Sequence, residues 1–230
     1  MRAYEQVLAR IEQDLLDGLI DVGGRLPSER TLSERYGVSR ASVREAIKVL
    51  EAMGVICTNV GSGPDAGAVV IADPAAPMGA ALRWHLASRH LPVADLVGAR
   101  VLIETWAVES AAGKHTTTEA LAPARELLQA MDIPALSAEE FLELDTRFHV
   151  ALADVGGNSV IAAIMAAMRS GIKAYVTSAV ATRDDWPAMA DRLRAEHHAV
   201  LSAVERGDGP AAAGAVAAHI TGFYLDAGVG

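Results

Sequence analysis

Two short helices joined by a tight turn that begins with a glycine constrain the fold of the N-terminal third more than any other feature. Ser28 can accept a backbone hydrogen bond at the start of a helix that runs to about Tyr36. Gly37 can take a positive φ and end that helix, and Ser39 can cap a second helix over Arg40–Met53. A helix, a tight glycine turn and a second amphipathic helix form a helix-turn-helix. The pattern therefore predicts a DNA-binding module.

The overall charge of the chain argues against nucleic acid unless basic residues are concentrated locally. The net charge is −9, from 20 basic and 29 acidic residues, whereas phosphate binding requires a basic surface. Residues 25–48 are the exception, since six basic residues there stand against three acidic ones. Arg40, Arg44 and Lys48 recur at every fourth position of the second helix. A solvated helix face with ion pairs is the better explanation of such a pattern in isolation, so the DNA-binding interpretation depends on the surrounding motifs.

A further helix and a hairpin complete this module. Apolar residues at helical spacing predict a first helix that ends near Gly18. After Gly54, a strand begins at residues 55–56, a Gly-Ser-Gly-Pro turn follows at 61–64, and a second strand returns at 68–71. The prediction is a winged helix-turn-helix of three helices and a small two-stranded wing.

The order of these motifs resembles the signature of the GntR family of regulators. The residues that carry the resemblance are Leu26-Pro27-Ser28-Glu29-Arg30, Tyr36-Gly37-Val38-Ser39-Arg40, Val43-Arg44-Glu45-Ala46 and Leu50-Glu51-Ala52-Met53-Gly54-Val55. The resemblance implies that the start of the second helix of the pair enters the major groove and that the wing tip touches the minor groove. It assigns DNA contacts to Arg30, Ser39, Arg40, Ser42 and Arg44, with Gly61 and Gly63 at the wing. The wing loop over residues 63–67 departs from the family pattern, because it is longer and carries an acid.

The rest of the chain indicates a second, all-helical domain. Residues 73–77 combine two prolines with small residues and are expected to be a linker between a DNA-binding domain, 1–72, and an effector domain, 78–230. Six or seven helices are expected after the linker, because apolar residues keep helical spacing and no strand-like alternation persists. The predicted fold class is therefore mainly α, and an all-helical second domain resembles the FadR-like branch, whose ligand domain is of the FCD type.

Four polar residues lie on or beside the apolar faces of the predicted bundle. Asp145 and His149 are one helical turn apart, while His197 and His219 lie on the inward sides of two later helices. A buried histidine with an ordinary hydrogen bond is the simpler explanation for each alone, and an Asp145–His149 hydrogen bond is as good as metal ligation for that pair. For all four together a divalent metal is favoured, with zinc first and nickel or manganese as alternatives. Metal-binding members of the FadR-like branch have a similar set of ligands.

Arg100 is the candidate contact for an effector. Arg100 and Glu104 both project into the apolar stripe of a helix over residues 93–112, so a buried ion pair between them is one interpretation. The other, which the resemblance supports, is that Arg100 binds a carboxylate beside the metal, since guanidinium is a planar bidentate donor. Asn158 is expected to cap a helix. The remaining histidines are assigned to the surface or to packing; they are His85, His90, His115 and His198.

Together these features predict a ligand-responsive regulator of transcription, and a repressor in particular, with no enzymatic activity. The expected partners are double-stranded DNA with a near-palindromic operator, a small carboxylate effector and a second copy of the chain in a homodimer. Two alternatives are a metal-dependent hydrolase and a regulator whose metal is purely structural. The cytoplasm is the expected location, without membrane contact, because the longest apolar run, residues 160–168, is too short to cross a bilayer and no export segment is evident. The lone Cys57 receives no role.

Overall fold

The computed structural model describes residues 2–59, 67–71, 73–113, 116–180 and 185–228. The chain divides into two compact units, over residues 1–77 and 78–230. The tip of the wing, with the predicted contacts Gly61 and Gly63, lies outside the described residues, as does His115. Within the described ranges, no helix is long and apolar enough to cross a membrane.

Three helices of the first unit form the predicted helix-turn-helix with its supporting helix. They are α1 (Ala3–Leu16), α2 (Glu29–Tyr36) and α3 (Arg40–Ala52). The Ser28 hydroxyl accepts a hydrogen bond from the backbone N–H of Thr31 at 3.2 Å, which starts α2. Gly37 ends α2 at φ +68°, where a side chain would strain the backbone. Short-range capping chemistry thus sets the boundaries that the sequence predicts.

The wing is a two-stranded antiparallel sheet of β1 (Ile56–Asn59) and β2 (Gly67–Val70). Its register pairs Ile56 with Val70. Arg25 adds a bridge to Val69, which ties the segment before α2 to the wing. Apolar side chains of all five elements fill one core; they include Val7, Ile11, Leu32, Val43, Ala46, Leu50, Ile56 and Val70.

The second unit is a bundle of helices, as predicted. Its helices within the described residues are α4 (Ala75–Ala87), α5 (Val93–Gly113), α6 (Ala122–Met131), α7 (Ala138–Gly156), α8 (Ser159–Val180), α9 (Trp186–Glu205) and α10 (Gly209–Ala227). Asn158 Oδ1 accepts from the backbone N–H of Val160 and of Ile161 at the start of α8, as expected of a cap. The histidines of interest lie on α7, α9 and α10.

Helix α4 begins inside the segment that was expected to be a linker. Ala75, Ala76 and Pro77 already belong to it, so only Asp73 and Pro74 of the five residues remain outside a helix. The physical reason is that backbone N–H groups in the first turn of a helix make no hydrogen bond within the helix. Proline, which lacks this N–H, is therefore accommodated there. Pro74 therefore directly precedes α4 and Pro77 lies in its first turn, instead of both belonging to a longer irregular segment.

Helix α5 lies beside both α7 and α10, and α9 packs against α10. A glycine allows the close approach of α7 to α5, because a Cβ at Gly156 would meet the Ala107 carbonyl oxygen at 3.1 Å. The bundle core contains Phe141, Phe148 and Leu152 of α7 together with residues of its neighbours. This packing brings the inward faces of α5, α7, α9 and α10 to one buried region.

Candidate metal centre and nucleic-acid interface

The four residues predicted as metal ligands meet at one point in the bundle. Asp145 and His149 come from α7, His197 from α9 and His219 from α10. One carboxylate oxygen, Asp145 Oδ1, lies 2.9 Å from His197 Nε2, 3.5 Å from His149 Nε2 and 3.8 Å from His219 Nε2. One possible ligand atom from each residue lies within 4.8 Å of all the others. The three histidines are buried, so their ring nitrogens depend on partners within the bundle.

Two acidic side chains orient the histidines from behind. Glu104 Oε2 lies 2.8 Å from His149 Nδ1, and Glu196 Oε2 lies 2.8 Å from His219 Nδ1. A carboxylate accepts, so each Nδ1 carries the proton and each Nε2 presents a lone pair to the cluster. Metal-binding histidines typically have this kind of second partner. His197 Nδ1 has no hydrogen-bond partner among the described residues.

The donor set fits a divalent cation. Ligand atoms at the usual distance of about 2.05 Å from the ion lie roughly 2.9 Å apart at neighbouring positions of a six-coordinate site, which leaves room for exogenous ligands, and roughly 3.3 Å apart in a closed tetrahedral site. His149 Nε2 and His197 Nε2 are 3.2 Å apart, and the distances of Asp145 Oδ1 from the three imidazoles bracket the same value. Three imidazole nitrogens and one carboxylate oxygen suit zinc, and also nickel or manganese with further ligands.

Electrostatics prepare these groups for a cation. Burial alone raises the pKa of the Asp145 carboxyl, but the Arg169 guanidinium and the three neighbouring imidazoles outweigh it and hold the pKa well below its usual value. Burial lowers the pKa of His197 to about 3. Burial also lowers the pKa of His219, but the carboxylates of Asp145 and Glu196 outweigh it and raise the pKa overall. Asp145 is therefore anionic and His197 neutral at neutral pH, which are the forms that bind metal.

A buried ionic network extends from the cluster into the bundle. Glu104 Oε1 accepts from Arg100 Nε at 2.8 Å, and its Oε2 accepts from Arg169 Nη2 at 3.1 Å. Arg169 Nη1 donates to Asp145 Oδ2 at 2.6 Å, and Arg100 Nη1 donates to the Tyr224 hydroxyl at 2.6 Å. Burial would raise the pKa of Glu104, but the two guanidinium groups and His149 lower it well below the usual value. The Arg100–Glu104 ion pair anticipated in the sequence is present.

A cavity of about 30 Å³ opens beside Asp145 and His219. Its polar lining includes Arg100, Arg169 and Tyr224. Its apolar lining consists of Leu142, Ile172, Val176, Ile220 and Phe223. One water requires about 10–15 Å³, so the cavity has room for a few non-hydrogen atoms among polar and apolar side chains.

The basic residues of α3 are accessible in the first unit. The side chains of Arg40 and Arg44 are 63% and 59% exposed, and their guanidinium groups lie 3.9 and 4.0 Å from one Glu29 oxygen. Arg30 forms an exposed ion pair with Glu34 at 3.0 Å. Such exposed pairs contribute at most about 1 kcal/mol, so they leave the arginines free to exchange Glu29 or Glu34 for phosphate.

The two predicted serine contacts also have a structural role. Ser39 Oγ accepts from the backbone N–H of Ser42 at 3.2 Å, and the two hydroxyl oxygens are 3.0 Å apart. Ser39 therefore caps α3, which is the helix that presents Arg40 and Arg44. The cap places both hydroxyls at the N-terminal end of the same exposed helix.

Comparison with known families accounts for both units. Residues 3–64 match the family described as "Bacterial regulatory proteins, gntR family", and residues 95–222 match the FCD domain. The chain belongs to the GntR family. Members with these two domains are DNA-binding regulators of transcription, so this GntR-family protein is a regulator and not an enzyme.

Several characterised proteins are similar to this GntR-family member. The HTH-type transcriptional regulator LutR of Bacillus subtilis is 30% identical over 89% of this chain and 92% of its own length. The Uxu operon regulator of Haemophilus influenzae is 30% identical over 70% of this chain, and the match spans 57% of that regulator. The Glc operon transcriptional activator of Escherichia coli K12 is 31% identical over 68% of this chain and 62% of its own length. Among solved structures, a GntR protein of Streptococcus agalactiae shares the fold, with a TM-score of 0.67, 22% identity and coverage of 97% and 99% of the two chains.

Sequence reasoning missed three residues of this GntR-family site. They are Arg169, Glu196 and Tyr224, which contact Asp145, His219 and Arg100 respectively. A signal for the first existed in the sequence, because Arg169 directly follows the longest apolar run, residues 160–168. A charge at that place in a buried helix requires a partner.

Proposed function

We propose that this protein is a homodimeric, metal-containing repressor that releases DNA when a small organic acid binds to its FCD domain. The observation that carries the proposal is the buried convergence of Asp145, His149, His197 and His219. Glu104, Glu196 and Arg169 already pair with the outer atoms of three of these residues, and a divalent cation would bind the inner atoms, three Nε2 and Asp145 Oδ1, that converge on one another.

Zinc is the proposed metal, with nickel and manganese as alternatives. Asp145, His149, His197 and His219 would hold it, and Glu104 and Glu196 would fix the orientation of two of the imidazoles. A bound divalent ion would supply a positive centre that attracts a carboxylate. The acidic and neutral side chains of the cluster have the protonation states that this role needs.

A small carboxylate is the proposed effector. The lining of the cavity beside Asp145 combines Arg100 with several apolar side chains, which fits an acid with a short apolar substituent. Arg100 is held by Glu104 and Tyr224, so its guanidinium is already oriented before a ligand arrives. L-lactate is a reasonable first acid to test because one relative is named the putative L-lactate dehydrogenase operon regulatory protein, in Escherichia coli K12; it is 26% identical over 96% of this chain and 84% of its own length.

DNA binding is proposed to rest on α3 and the wing. Arg40 and Arg44 are exposed on α3 and can bond guanine O6 and N7 or phosphate. Arg30, Ser39 and Ser42 are the further proposed contacts in this unit. Gly61 and Gly63 of the wing complete the set. A two-fold dimer would read a near-palindromic operator, and effector binding would change its affinity by a coupling energy of about 1–3 kcal/mol.

The experiment is a DNA-binding titration with the promoter of the protein's own gene, with L-lactate as the first probe acid. The zinc-loaded wild type should bind the promoter more tightly than competitor DNA and lose affinity about 5- to 150-fold with the acid. Asp145→Ala should bind DNA normally and lose the response. Arg44→Ala should weaken binding more than about 30-fold, since two symmetric contacts of about 1–3 kcal/mol each are lost, whereas the exposed Arg10→Ala serves as a control for charge.

Two results would contradict the proposal. If the wild type bound this promoter no more tightly than competitor DNA, with or without acids, the proposal that the protein recognises this promoter would be refuted. A chelator that melts the domain while Asp145→Ala keeps the full acid response would show that the metal is purely structural.

A further inference from the structure

Arg169 of α8 joins two carboxylates from two other helices at the edge of the metal cluster. Its side chain is 3% exposed, and it donates to Asp145 Oδ2 of α7 at 2.6 Å and to Glu104 Oε2 of α5 at 3.1 Å. Burial of a guanidinium costs several kcal/mol unless partners compensate it. Two carboxylates provide this compensation, and both of them serve the candidate ligands.

The two oxygens of Asp145 have different neighbours. Oδ1 faces the imidazole of His197 at 2.9 Å and is the oxygen nearest the other two histidines. Oδ2 is occupied by Arg169 Nη1. A carboxylate whose second oxygen is engaged in a short charge-assisted hydrogen bond offers only its first oxygen to a cation.

The second partner of Arg169 orients another ligand. The oxygen of Glu104 that accepts from Arg169 is the same Oε2 that lies 2.8 Å from His149 Nδ1. Arg169 therefore restricts where that oxygen can lie, and through it the direction of the His149 ring. One side chain thus controls the geometry of two ligands, although it is itself no ligand.

We propose that Arg169 is the positioning residue that keeps Asp145 a one-oxygen ligand and so preserves an open coordination position for the effector carboxylate. This inference rests on the proposed metal function. With one oxygen and three nitrogens, the protein supplies four ligand atoms and leaves any fifth or sixth position to an exogenous ligand. Without Arg169, Asp145 would be free to bind through both oxygens and would fill the position that the acid needs.

The test uses the full-length protein loaded with Zn²⁺ or Co²⁺, with acetate as the probe acid. Arg169→Met removes both donors at similar length, and Arg169→Lys retains one charge that reaches only one of the two carboxylates. The matched control is Arg125→Met, because Arg125 also joins another helix, through Glu205 at 2.6 Å, but contacts no residue of the cluster.

Arg169→Met should lower zinc affinity about 10- to 100-fold in competition with a chromophoric chelator, as other changes behind metal ligands do. The visible Co²⁺ spectrum should weaken, because an extra carboxylate oxygen raises the coordination number, and acetate should no longer change it. Arg169→Lys should give intermediate values. Arg125→Met should lower thermal stability at most, with the wild-type spectrum and acetate response.

Zinc affinity within threefold of wild type together with an unchanged Co²⁺ spectrum and acetate response in Arg169→Met would overturn the inference. If circular dichroism shows that Arg169→Met has lost its helices, Arg169→Lys decides by the same criteria. A wild-type protein that binds neither Zn²⁺ nor Co²⁺ would instead refute the proposed metal function, and the inference with it.

Discussion

Substitution of Glu104 by glutamine tests how the ionic network stabilises the effector domain. The Glu104 side chain is 1% exposed, and its two oxygens accept from Arg100 at 2.8 Å and from Arg169 at 3.1 Å, while Oε2 also lies 2.8 Å from His149 Nδ1. Glutamine keeps the shape but turns one acceptor oxygen into an NH₂ donor that faces other donors. Removal of one partner from a buried ion pair costs about 3–5 kcal/mol, because a buried charge is left uncompensated.

The assay is thermal unfolding of chelator-treated protein, followed by circular dichroism. A loss of about 3–5 kcal/mol corresponds to a decrease in Tm of about 6–20 °C for a domain of this size. The matched control is Glu205→Gln, which breaks the partly exposed Arg125–Glu205 pair and should cost no more than about 1 kcal/mol. Equal and small effects of the two substitutions would refute the view that Glu104 compensates two buried guanidinium groups.

Two further predictions concern the recognition helix and the acid stability of the bundle. Ser39→Ala removes the cap of α3 and should destabilise the DNA-binding unit by about 1 kcal/mol, whereas Ser39→Gly should cost less; urea unfolding of both variants measures the difference, and equal stability of Ser39→Ala and wild type would contradict it. His197 has a pKa of about 3 when folded and 6.5 as the ordinary value, so the unfolded chain binds more protons as the pH falls below 6.5. The contribution of His197 to the free energy of unfolding of chelator-treated protein should therefore decrease by about 2 kcal/mol as the pH falls from 7 to 5. His197→Gln should show a weaker acid destabilisation in Tm measurements, and an identical pH profile would argue against a neutral buried His197.

Local chemistry explains why much of the architecture was predictable. Ser28, Gly37 and Ser39 act on backbone groups within a few residues, so the boundaries of α2 and α3 follow from the sequence alone. Helical spacing likewise separated the inward His197, which is fully buried, from its neighbour His198, which is more than half exposed and lies beside Asp132. Helix boundaries and the inward or outward direction of a side chain depend on the sequence of a single helix, so they can be predicted without knowledge of the packing.

The partners of the site residues could not be predicted in this way. Tyr224 reaches Arg100 from 124 residues further along the chain, and Glu196 serves a histidine on a different helix. These contacts depend on which helices become neighbours and on their rotation about their axes, and apolar periodicity determines neither. The sequence supports the set of four ligands because each faces inward, whereas the contacts of Glu104, Glu196 and Arg169 behind them depend on the packing of α5, α7, α8, α9 and α10.

Native mass spectrometry of the purified protein, before and after treatment with a chelator, shows directly whether the bundle holds a metal ion. We expect a dimer that carries two divalent ions, one for each set of Asp145, His149, His197 and His219, and that loses both ions to the chelator. The Asp145→Ala variant, purified in parallel, should carry fewer ions. A wild-type protein that was purified and supplied with zinc, and that still showed no bound metal, would contradict the account.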